Sequence, residues 1–421
     1  MLQLSKSNFI IIILSVFITS HAFSQNADYA QSTVSELASE KYHGRGYVKN
    51  GDAKAAKYIA KQFKINGINM FGDSYFQKYS FPINTLPSTL NVSIDGDELV
   101  PGEDYVVSLS AKTINEEFNI RNFVDCCSNP DSLFLSIPRV VSNDIYLINE
   151  KNTKKLYGQT IPNAKAVAIL TDKTPYWHVS NGGQLANTTW LKIRKDKVPD
   201  SAKTIKIKVK NKFISNHKTQ NVVGYIKGSK YPEKFFVFTA HYDHLGMMGN
   251  KTYYPGANDN ASGTAFILDL ARHYSLPENQ PEYSVVFILL SGEEVGLYGS
   301  KYFVDNSLFP LKDIKLVVNL DMVGSGSDGI TVVNGTLYDT LMHKLQSINS
   351  ENKYLKDIKS RGESCNSDHC PFFQKGINSI FIYTRGKELT EYHTITDKPD
   401  NFPFTAYNGL FGLITEIVED Y

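Results

Sequence analysis

The chain of 421 residues carries 44 Lys and Arg residues against 43 Asp and Glu residues, a net charge of +1. A charge this balanced argues against a nucleic-acid-binding protein and against a surface that binds anionic membranes. Hydrophobic residues make up 42% of the sequence, which is enough for a packed core. We therefore expect a globular protein with no nucleic acid among its partners.

The start of the chain reads as a targeting segment. Lys6 precedes an apolar run over residues 9–17, and this run is shorter than the roughly 20 apolar residues that a membrane span needs. Small residues lead up to Ser24, after which we place a cleavage site. We predict a signal peptide over residues 1–24 and a periplasmic or secreted mature protein without a membrane anchor. An uncleaved anchor is the alternative.

Helical periodicity follows this segment. The spacing of apolar residues predicts helices over residues 27–40 and 51–67. A loop that contains Arg45 separates the two helices, and residues 75–81 read as a strand. We assign residues 25–87 to the N-terminal part of a catalytic domain.

The texture changes between residues 88 and 212. Short alternating strands are separated there by turn residues such as Asp95 and Gly96. His, Asp and Glu do not cluster at the ends of these strands. The pattern predicts a β-rich domain, over residues 88–212, that is inserted into the catalytic domain and takes no part in the chemistry. The alternative is one large domain.

Strands alternate with helices in the main part of the catalytic domain, residues 213–421. Apolar runs that suit buried strands lead to His241, to Glu293 and to Asp321. Strands that alternate with helices form a mostly parallel sheet covered on both faces. We therefore predict an α/β fold, a three-layer α/β/α domain with a mostly parallel sheet, plus the β-rich insert.

Metal-competent side chains follow these apolar runs, and the carboxyl ends of parallel strands are where ligands bind in open α/β sheets. Zinc accepts imidazole nitrogen and carboxylate oxygen. Two zinc ions about 3.5–4 Å apart can clamp an attacking water and polarise a carbonyl group. Glu293 is a spare carboxylate that suits a general base. The five candidate ligands are His241, Asp259, Glu294, Asp321 and His393.

Two neighbours of these residues refine the prediction. Asp243 lies two residues after His241, so on a strand the two side chains point the same way and the carboxylate can orient the imidazole. Gly292 predicts a turn that gives Glu293 and Glu294 different roles.

Six segments then carry a resemblance to a known family. In chain order they are AHYDHLG, PGANDNASG, LLSGEEVGLYGS, NLDMVG, SDHCPF and YHTITD. They resemble the M28 family of co-catalytic zinc peptidases, which are mostly aminopeptidases. The resemblance extends from about Asn221 to the C-terminus and to the loop around Arg45. The inserted domain resembles the protease-associated domain that many members of the family carry.

The resemblance implies two zinc ions and a role for each candidate residue. Asp259 would bridge both ions. His241 and Asp321 would complete one site, and Glu294 and His393 the other. Glu293 would act as the general base.

Tyr392 lies next to His393, and in some relatives a tyrosine near the metals binds the developing oxyanion. This makes Tyr392 a candidate catalytic residue, with simple packing as the alternative. His369, in the segment SDHCPF, is expected to be structural or to contact substrate. Many relatives carry a further histidine shortly before the Tyr-His pair, where this chain reads RGKELTEYH, so the pocket for the substrate is expected to differ.

We therefore predict a secreted or periplasmic metallo-aminopeptidase that hydrolyses N-terminal residues from peptides. A carboxypeptidase or dipeptidase of the same family is one alternative, and a single-zinc glutaminyl cyclase is another. Because His241 and Asp321 complete a second metal site, the two-zinc peptidase is favoured. A binding protein on the same fold would be expected to lack some of the ligands.

The four cysteines leave their pairing open. Cys126 and Cys127 are neighbours, which rarely bond to each other. Cys365 and Cys370 suit a small disulfide-closed loop if the compartment is oxidising.

Overall fold

The computed structural model describes residues 26–122, 143–149, 157–162 and 164–420. The predicted signal peptide, Cys126 and Cys127 lie outside these residues. Among the helices of the described ranges, none has both the length and the apolar character needed to cross a membrane.

The described residues form seven α-helices. Their bounds are α1 Ala27–Leu37, α2 Gly51–Ile65, α3 Gly263–Tyr274, α4 Tyr298–Asp305, α5 Asp339–Asn352, α6 His369–Gln374 and α7 Tyr407–Glu419. The two predicted N-terminal helices correspond to α1 and α2, each ending a few residues earlier than the periodicity suggested.

The same residues form 18 strands. Their bounds are β1 Phe76–Thr85, β2 Asn91–Ile94, β3 Asp97–Glu98, β4 Tyr105–Val107, β5 Ile114–Asn122, β6 Asp144–Asn149, β7 Ala166–Thr171, β8 Thr189–Arg194, β9 Thr204–Val209, β10 Lys212–Ile226, β11 Tyr231–His241, β12 Met247–Met248, β13 Thr252–Tyr253, β14 Tyr283–Leu290, β15 Ile314–Leu320, β16 Ile330–Val333, β17 Ile358–Ser360 and β18 Ser379–Thr384.

The first sheet has eight strands in the order β1-β10-β14-β11-β15-β18-β16-β17. The four central strands, β14, β11, β15 and β18, run parallel. β1 and β10 are antiparallel, as is β16 against β18. Parallel strands are joined by crossover connections, which place helices on both faces of a sheet. The four parallel central strands are therefore expected to be covered by helices on both sides.

The side chains of β11 show why helices cover both faces of this sheet. Phe236 and Phe238 point into one buried cluster, which includes residues of α1, α2, α3, α5 and α7. Phe235 and Val237 point into the opposite cluster, with Phe303 of α4 and Phe372 of α6. The predicted three-layer α/β/α fold is confirmed.

The second sheet lies between residues 91 and 209 and has the order β3-β2-β9-β5-β6-β7-β8-β4. β5, β6, β7 and β8 run parallel within it. One face of this sheet shares a buried cluster with Phe81, Leu245, Met248 and Tyr254, which lie outside residues 91–209. The two sheets are therefore joined by a common hydrophobic core. The predicted bounds of the insert, and its likeness to a protease-associated domain, stay predictions.

A disulfide links Cys365 to Cys370, with 4.9 Å between their Cα atoms. It closes the loop that leads into α6. The small disulfide loop suggested by the sequence is therefore present.

Candidate metal centre

Three parallel neighbours in the first sheet bring their ends to one edge. β11 ends at His241, Asp321 follows the last residue of β15, and Glu294 lies a short turn beyond β14. Because β11 pairs in parallel with both β14 and β15, these side chains meet at the carboxyl ends of the strands, as the sequence predicted.

Gly292 turns the chain after β14. Its φ angle is +73°, in the left-handed region that residues with a Cβ rarely adopt. Both glutamates line the same cavity, but Glu294 also faces His244 and His393, whereas Glu293 contacts neither imidazole. The predicted turn is present, and it separates the surroundings of the two adjacent glutamates.

The loop that carries Asp259 is fixed by a buried arginine. Arg45 is fully buried, and its guanidinium donates five hydrogen bonds to backbone carbonyl oxygens. The acceptors are Leu37 (3.1 Å), Tyr242 (2.8 Å), Pro255 (2.6 Å), Gly256 (2.6 Å) and Asp259 (3.2 Å). A single side chain thus ties the segment before α2 to the end of β11 and to both sides of the Asp259 turn.

Gly256 shows how closely this loop is packed. Its φ is +61°, and a Cβ there would lie 2.3 Å from the carbonyl oxygen of Asp259 and 2.6 Å from Nη2 of Arg45. Both distances are far below ordinary contact. Only glycine therefore fits between the guanidinium and the turn.

Asp397 holds the same loop from the other side. Its carboxylate accepts hydrogen bonds from the backbone N–H groups of Asn258 (2.8 Å) and Asp259 (3.0 Å). Burial raises the pKa of Asp397 to about 7, although these two hydrogen bonds act in the opposite direction. Sequence reasoning gave Asp397 no role. The one signal was its place at the end of the segment YHTITD.

The two carboxylate oxygens of Asp259 face two different imidazoles. Oδ1 lies 3.3 Å from Nε2 of His241, and Oδ2 lies 3.1 Å from Nε2 of His393. Asp321 Oδ1 is 3.4 Å from the first imidazole nitrogen, and Glu294 Oε2 is 3.2 Å from the second. The structure thus brings together all five predicted ligands, in two groups with Asp259 between them.

Glu294 has a further partner that sequence reasoning missed. Its Oε1 lies 2.7 Å from Nδ1 of His244. His244 is fully buried, and burial lowers its pKa. The imidazole therefore fixes one oxygen of Glu294 and leaves the other facing His393. His244 lies within the segment AHYDHLG, which was its only sequence signal.

A chain of buried hydrogen bonds supports Asp321. The hydroxyl of Thr239 donates to Asn319 Oδ1 (2.7 Å), whose Nδ2 donates to the hydroxyl oxygen of Ser367 (2.8 Å). Ser367 in turn donates to Asp321 Oδ2 (2.8 Å). His369, two residues further on, is fully buried, with Nε2 2.7 Å from the carbonyl oxygen of Ser364. His369 is not among the residues that line the cavity described below.

The sequence predicted that the Asp243 carboxylate orients the imidazole of His241, but the contacts differ. Nδ1 of His241 lies 3.1 Å from the backbone carbonyl of Asp243 and 3.9 Å from its carboxylate. The carboxylate accepts hydrogen bonds from the hydroxyl of Tyr47 (2.8 Å) and from the backbone N–H of Glu293 (3.3 Å). Asp243 thus contacts the imidazole through its main chain and Glu293 through its side chain. Burial raises the pKa of Asp243 to about 7.

Tyr392 and the second sheet both contact His393. The Tyr392 ring stacks on the imidazole with 3.8 Å between the centroids, and 45% of the residue is exposed. On the other side, the backbone N–H of Trp177 donates to the carbonyl oxygen of His393 (2.9 Å), and the His178 ring packs edge-on against the imidazole. The β-rich part of the chain therefore reaches the candidate site.

The pKa values of the clustered side chains are shifted because imidazoles and carboxylates lie close together in a buried space. Burial opposes the charged form of His241, but the carboxylates of Asp321 and Glu293 raise its pKa well above the usual value. Burial likewise opposes ionisation of Asp259, yet hydrogen bonds from His241 and His393 hold its pKa well below the usual value. Glu293 is different, because burial and the neighbouring carboxylates raise its pKa well above the usual value.

These side chains suit a metal ion such as zinc. One donor atom each from His241, Asp259 and Glu294 lies within 4.8 Å of the others. Asp321 Oδ1 is buried and has no hydrogen-bond partner among the described residues, although it faces the same imidazole. Imidazole nitrogen and carboxylate oxygen are the donors of zinc sites in proteins.

The cluster opens into a cavity of about 240 Å³. Besides the five candidate ligands and Glu293, six residues line this cavity. They are Met322, Arg361, Asn366, Phe381, Tyr383 and Tyr392. The volume is below the roughly 300–1,000 Å³ of pockets that enclose drug-sized ligands, so it suits a short group such as one residue or a dipeptide.

Buried imidazoles and carboxylates meet at the carboxyl edge of a parallel sheet and face a small cavity, an arrangement that suits a metal site in an α/β protein. Residues 221–418 match the model of Peptidase family M28. This match confirms, for that segment, the resemblance to the M28 family seen in the sequence.

Sequence matches to named proteins are consistent with this family match. The chain is 32% identical to Aminopeptidase YwaD of Bacillus subtilis over 220 residues, which cover 50% of this chain and 46% of that protein. It is 38% identical to a probable zinc metalloprotease of Leptosphaeria maculans over 109 residues, 25% of each protein. The matches thus span about half, or less, of the length of these relatives.

Solved structures share the fold over almost the whole chain. A zinc aminopeptidase from Bacillus subtilis, BSAP, aligns with a TM-score of 0.71 at 23% identity and covers 94% of each chain. An aminopeptidase from Aneurinibacillus sp. strain AM-1 aligns with a TM-score of 0.67 at 22% identity and covers 94% of this chain and 93% of its own. At 22–23% identity, these alignments establish the fold of this chain, and at 94% coverage they include both of its sheets.

Proposed function

We propose that the protein is a zinc-dependent aminopeptidase that releases N-terminal residues from peptides. The observation that carries the proposal is the position of Asp259, whose two oxygens face the imidazoles of His241 and His393 at 3.3 Å and 3.1 Å. The M28 match of residues 221–418 and the names of the relatives, an aminopeptidase and a zinc metalloprotease, support the same function.

The two groups around Asp259 support a pair of zinc ions. In this proposal Asp259 is shared, His241 and Asp321 hold one ion, and Glu294 and His393 hold the other. Bound zinc polarises a carbonyl group and lowers the pKa of an attacking water. The remaining contacts position the ligands, since His244 fixes Glu294 and Ser367 fixes Asp321.

Glu293 is the proposed general base. It lines the cavity beside the ligands, and its backbone is held by the carboxylate of Asp243. In this role its carboxylate takes the proton of the attacking water and then delivers it to the nitrogen of the leaving amine. Asp243 is proposed to act as a positioning residue for both Glu293 and His241.

Tyr392 is proposed to bind the oxygen of the scissile carbonyl as negative charge develops there. The residue lines the same cavity and is stacked on His393, which restricts the ring to the edge of the site. A tyrosine hydroxyl is a suitable hydrogen-bond donor for such an oxyanion. Tyr392→Phe is expected to lower kcat and to leave zinc content unchanged.

The Cys365–Cys370 disulfide supports action outside the cytosol, because disulfides persist in oxidising compartments. We therefore propose that the enzyme acts in the periplasm or in the extracellular medium.

The proposal is tested with purified protein, leucine 4-nitroanilide and its N-acetylated form as the matched control. We expect hydrolysis of the free-amine substrate only, loss of activity after chelation, and recovery with zinc. Metal quantification should give two zinc ions per chain. Equal cleavage of the acetylated substrate would exclude an aminopeptidase, and full activity after verified removal of metal would exclude a metallopeptidase.

A further inference from the structure

Arg361 lies at the cavity of the candidate metal centre, one residue beyond the end of β17. Its backbone N–H donates to the carbonyl oxygen of Val332 (2.9 Å), and its own carbonyl oxygen accepts from the N–H of Thr336 (3.4 Å). The main chain is therefore held on both sides, while the residue itself is exposed. A fixed base with a free side chain suits the binding of a group that enters the cavity.

The guanidinium of Arg361 differs from the others in the described part of the chain. Five other arginines are described there, and each has an internal partner. Arg45 binds backbone carbonyls, and the remaining four pair with carboxylates; these are Arg121, Arg194, Arg272 and Arg385. Arg361 forms no such pair with any described residue, although it lies within reach of a site rich in carboxylates.

The lining around Arg361 indicates the shape of its ligand. Met322, Phe381 and Tyr383 supply apolar and aromatic surface, whereas Asn366 supplies an amide. The disulfide between Cys365 and Cys370 closes the loop that carries Asn366. A short aliphatic stem that ends in a carboxylate matches this lining, because a guanidinium binds carboxylates through two parallel hydrogen bonds.

We propose that Arg361 determines specificity by binding a carboxylate of the substrate. The inference rests on the proposed aminopeptidase function and names its substrate class. The carboxylate belongs either to the side chain of an N-terminal Asp or Glu residue or to the C-terminus of a dipeptide, and both sources place the same group in the cavity.

The test uses the zinc-loaded enzyme and Arg361→Met, with Lys359→Met as the matched control. Lys359 is an exposed cation on β17 that does not line the cavity. One arm compares glutamate and glutamine 4-nitroanilides, which tests a side-chain carboxylate. The other arm compares Leu-Leu with its C-terminal amide, which tests the α-carboxylate.

We expect Arg361→Met to lower kcat/KM by about 10- to 100-fold for the carboxylate member of one pair, as loss of a charged hydrogen bond implies. Lys359→Met should leave every ratio unchanged. Calorimetry in the Glu293→Gln background, which should not hydrolyse Leu-Leu appreciably, should show a matching loss of affinity for free glutamate or for Leu-Leu. Equal effects of Arg361→Met within both pairs, or none, would overturn the inference.

Calorimetry also separates this inference from the proposed function. If the wild-type enzyme hydrolyses no amide but binds the carboxylate ligand through Arg361, the aminopeptidase proposal fails and carboxylate recognition stands. If leucine 4-nitroanilide is hydrolysed but glutamate and Leu-Leu bind the Arg361→Met variant as tightly as the wild type, only the inference fails.

Discussion

Glu293→Gln removes the proposed general base and keeps the size of the side chain. The Glu293 carboxylate has no hydrogen-bond or ion-pair partner among the described residues, and its backbone N–H contact with Asp243 is untouched by the change. The variant should therefore fold with a melting temperature close to that of the wild type. Both proposed metal sites should stay filled, because Glu293 is not among the proposed ligands.

The effect should appear almost entirely in kcat. General base catalysis contributes about 10²–10⁴-fold in rate, which corresponds to roughly 3–5 kcal/mol of activation free energy. We expect kcat for leucine 4-nitroanilide to fall by this factor with little change in KM. Steady-state kinetics, metal quantification and thermal unfolding on one preparation measure the three quantities.

Glu294→Gln is the matched control, because the same chemical change is made one residue away. Glu294 contacts His244 at 2.7 Å and His393 at 3.2 Å, so its replacement should reduce zinc content and stability together. A Glu293→Gln variant with nearly normal kcat would refute the base assignment. Loss of zinc from Glu293→Gln but not from Glu294→Gln would mean that the two roles are exchanged.

Three further predictions follow from the contacts around the site. Asp259→Ala should lose both zinc ions and His241→Ala mainly one, as measured by elemental analysis; two ions retained in Asp259→Ala would exclude the bridge. Arg45→Lys should lower the free energy of unfolding by about 3–5 kcal/mol and the melting temperature by at least roughly 5 °C, because an ammonium group cannot bind all five buried carbonyl oxygens. An unchanged melting temperature would contradict this. Trp177→Ala keeps the backbone N–H that donates to His393 but removes the indole, whose Nε1–H donates to the carbonyl oxygen of Val107 (2.7 Å) and anchors that backbone. It should lower the free energy of unfolding by a similar amount, about 3–5 kcal/mol, and weaken zinc retention through His393. Trp190→Ala, equally buried in another cluster, should lower stability alone; equal zinc retention in both would exclude the coupling.

The sequence predicted which candidate side chains lie together at the strand ends, because each one is marked locally. An apolar strand that ends in His241 or Asp321 carries its own signal, and parallel pairing then brings the ends together. The supporting residues carry no such signal. Asp397 reaches the backbone of Asn258, 139 residues earlier in the chain, and a contact at that separation leaves no pattern in either segment.

The second sheet was only partly predictable for a related reason. β8, Thr189–Arg194, is buried at five of its six positions, so it lacks the polar alternation that marks a strand with one exposed face. The contact between Trp177 and His393 was likewise missed. The β-rich segment seemed separable because it has no metal-type residues at its strand ends, but its backbone and core packing extend to the candidate site.

The pairing of β1 with β10 has a consequence for how such proteins change over evolutionary time. The register sets Thr85 opposite Lys212, so the chain leaves the first sheet and returns to it at one point. Opposed residues in antiparallel strands lie about 5 Å apart, a gap that a two-residue hairpin can close. A genetic insertion or deletion between Thr85 and Lys212 therefore leaves the pairing of β1 with β10 in place. Selection then acts on the newly exposed or newly covered apolar surface rather than on the connection itself.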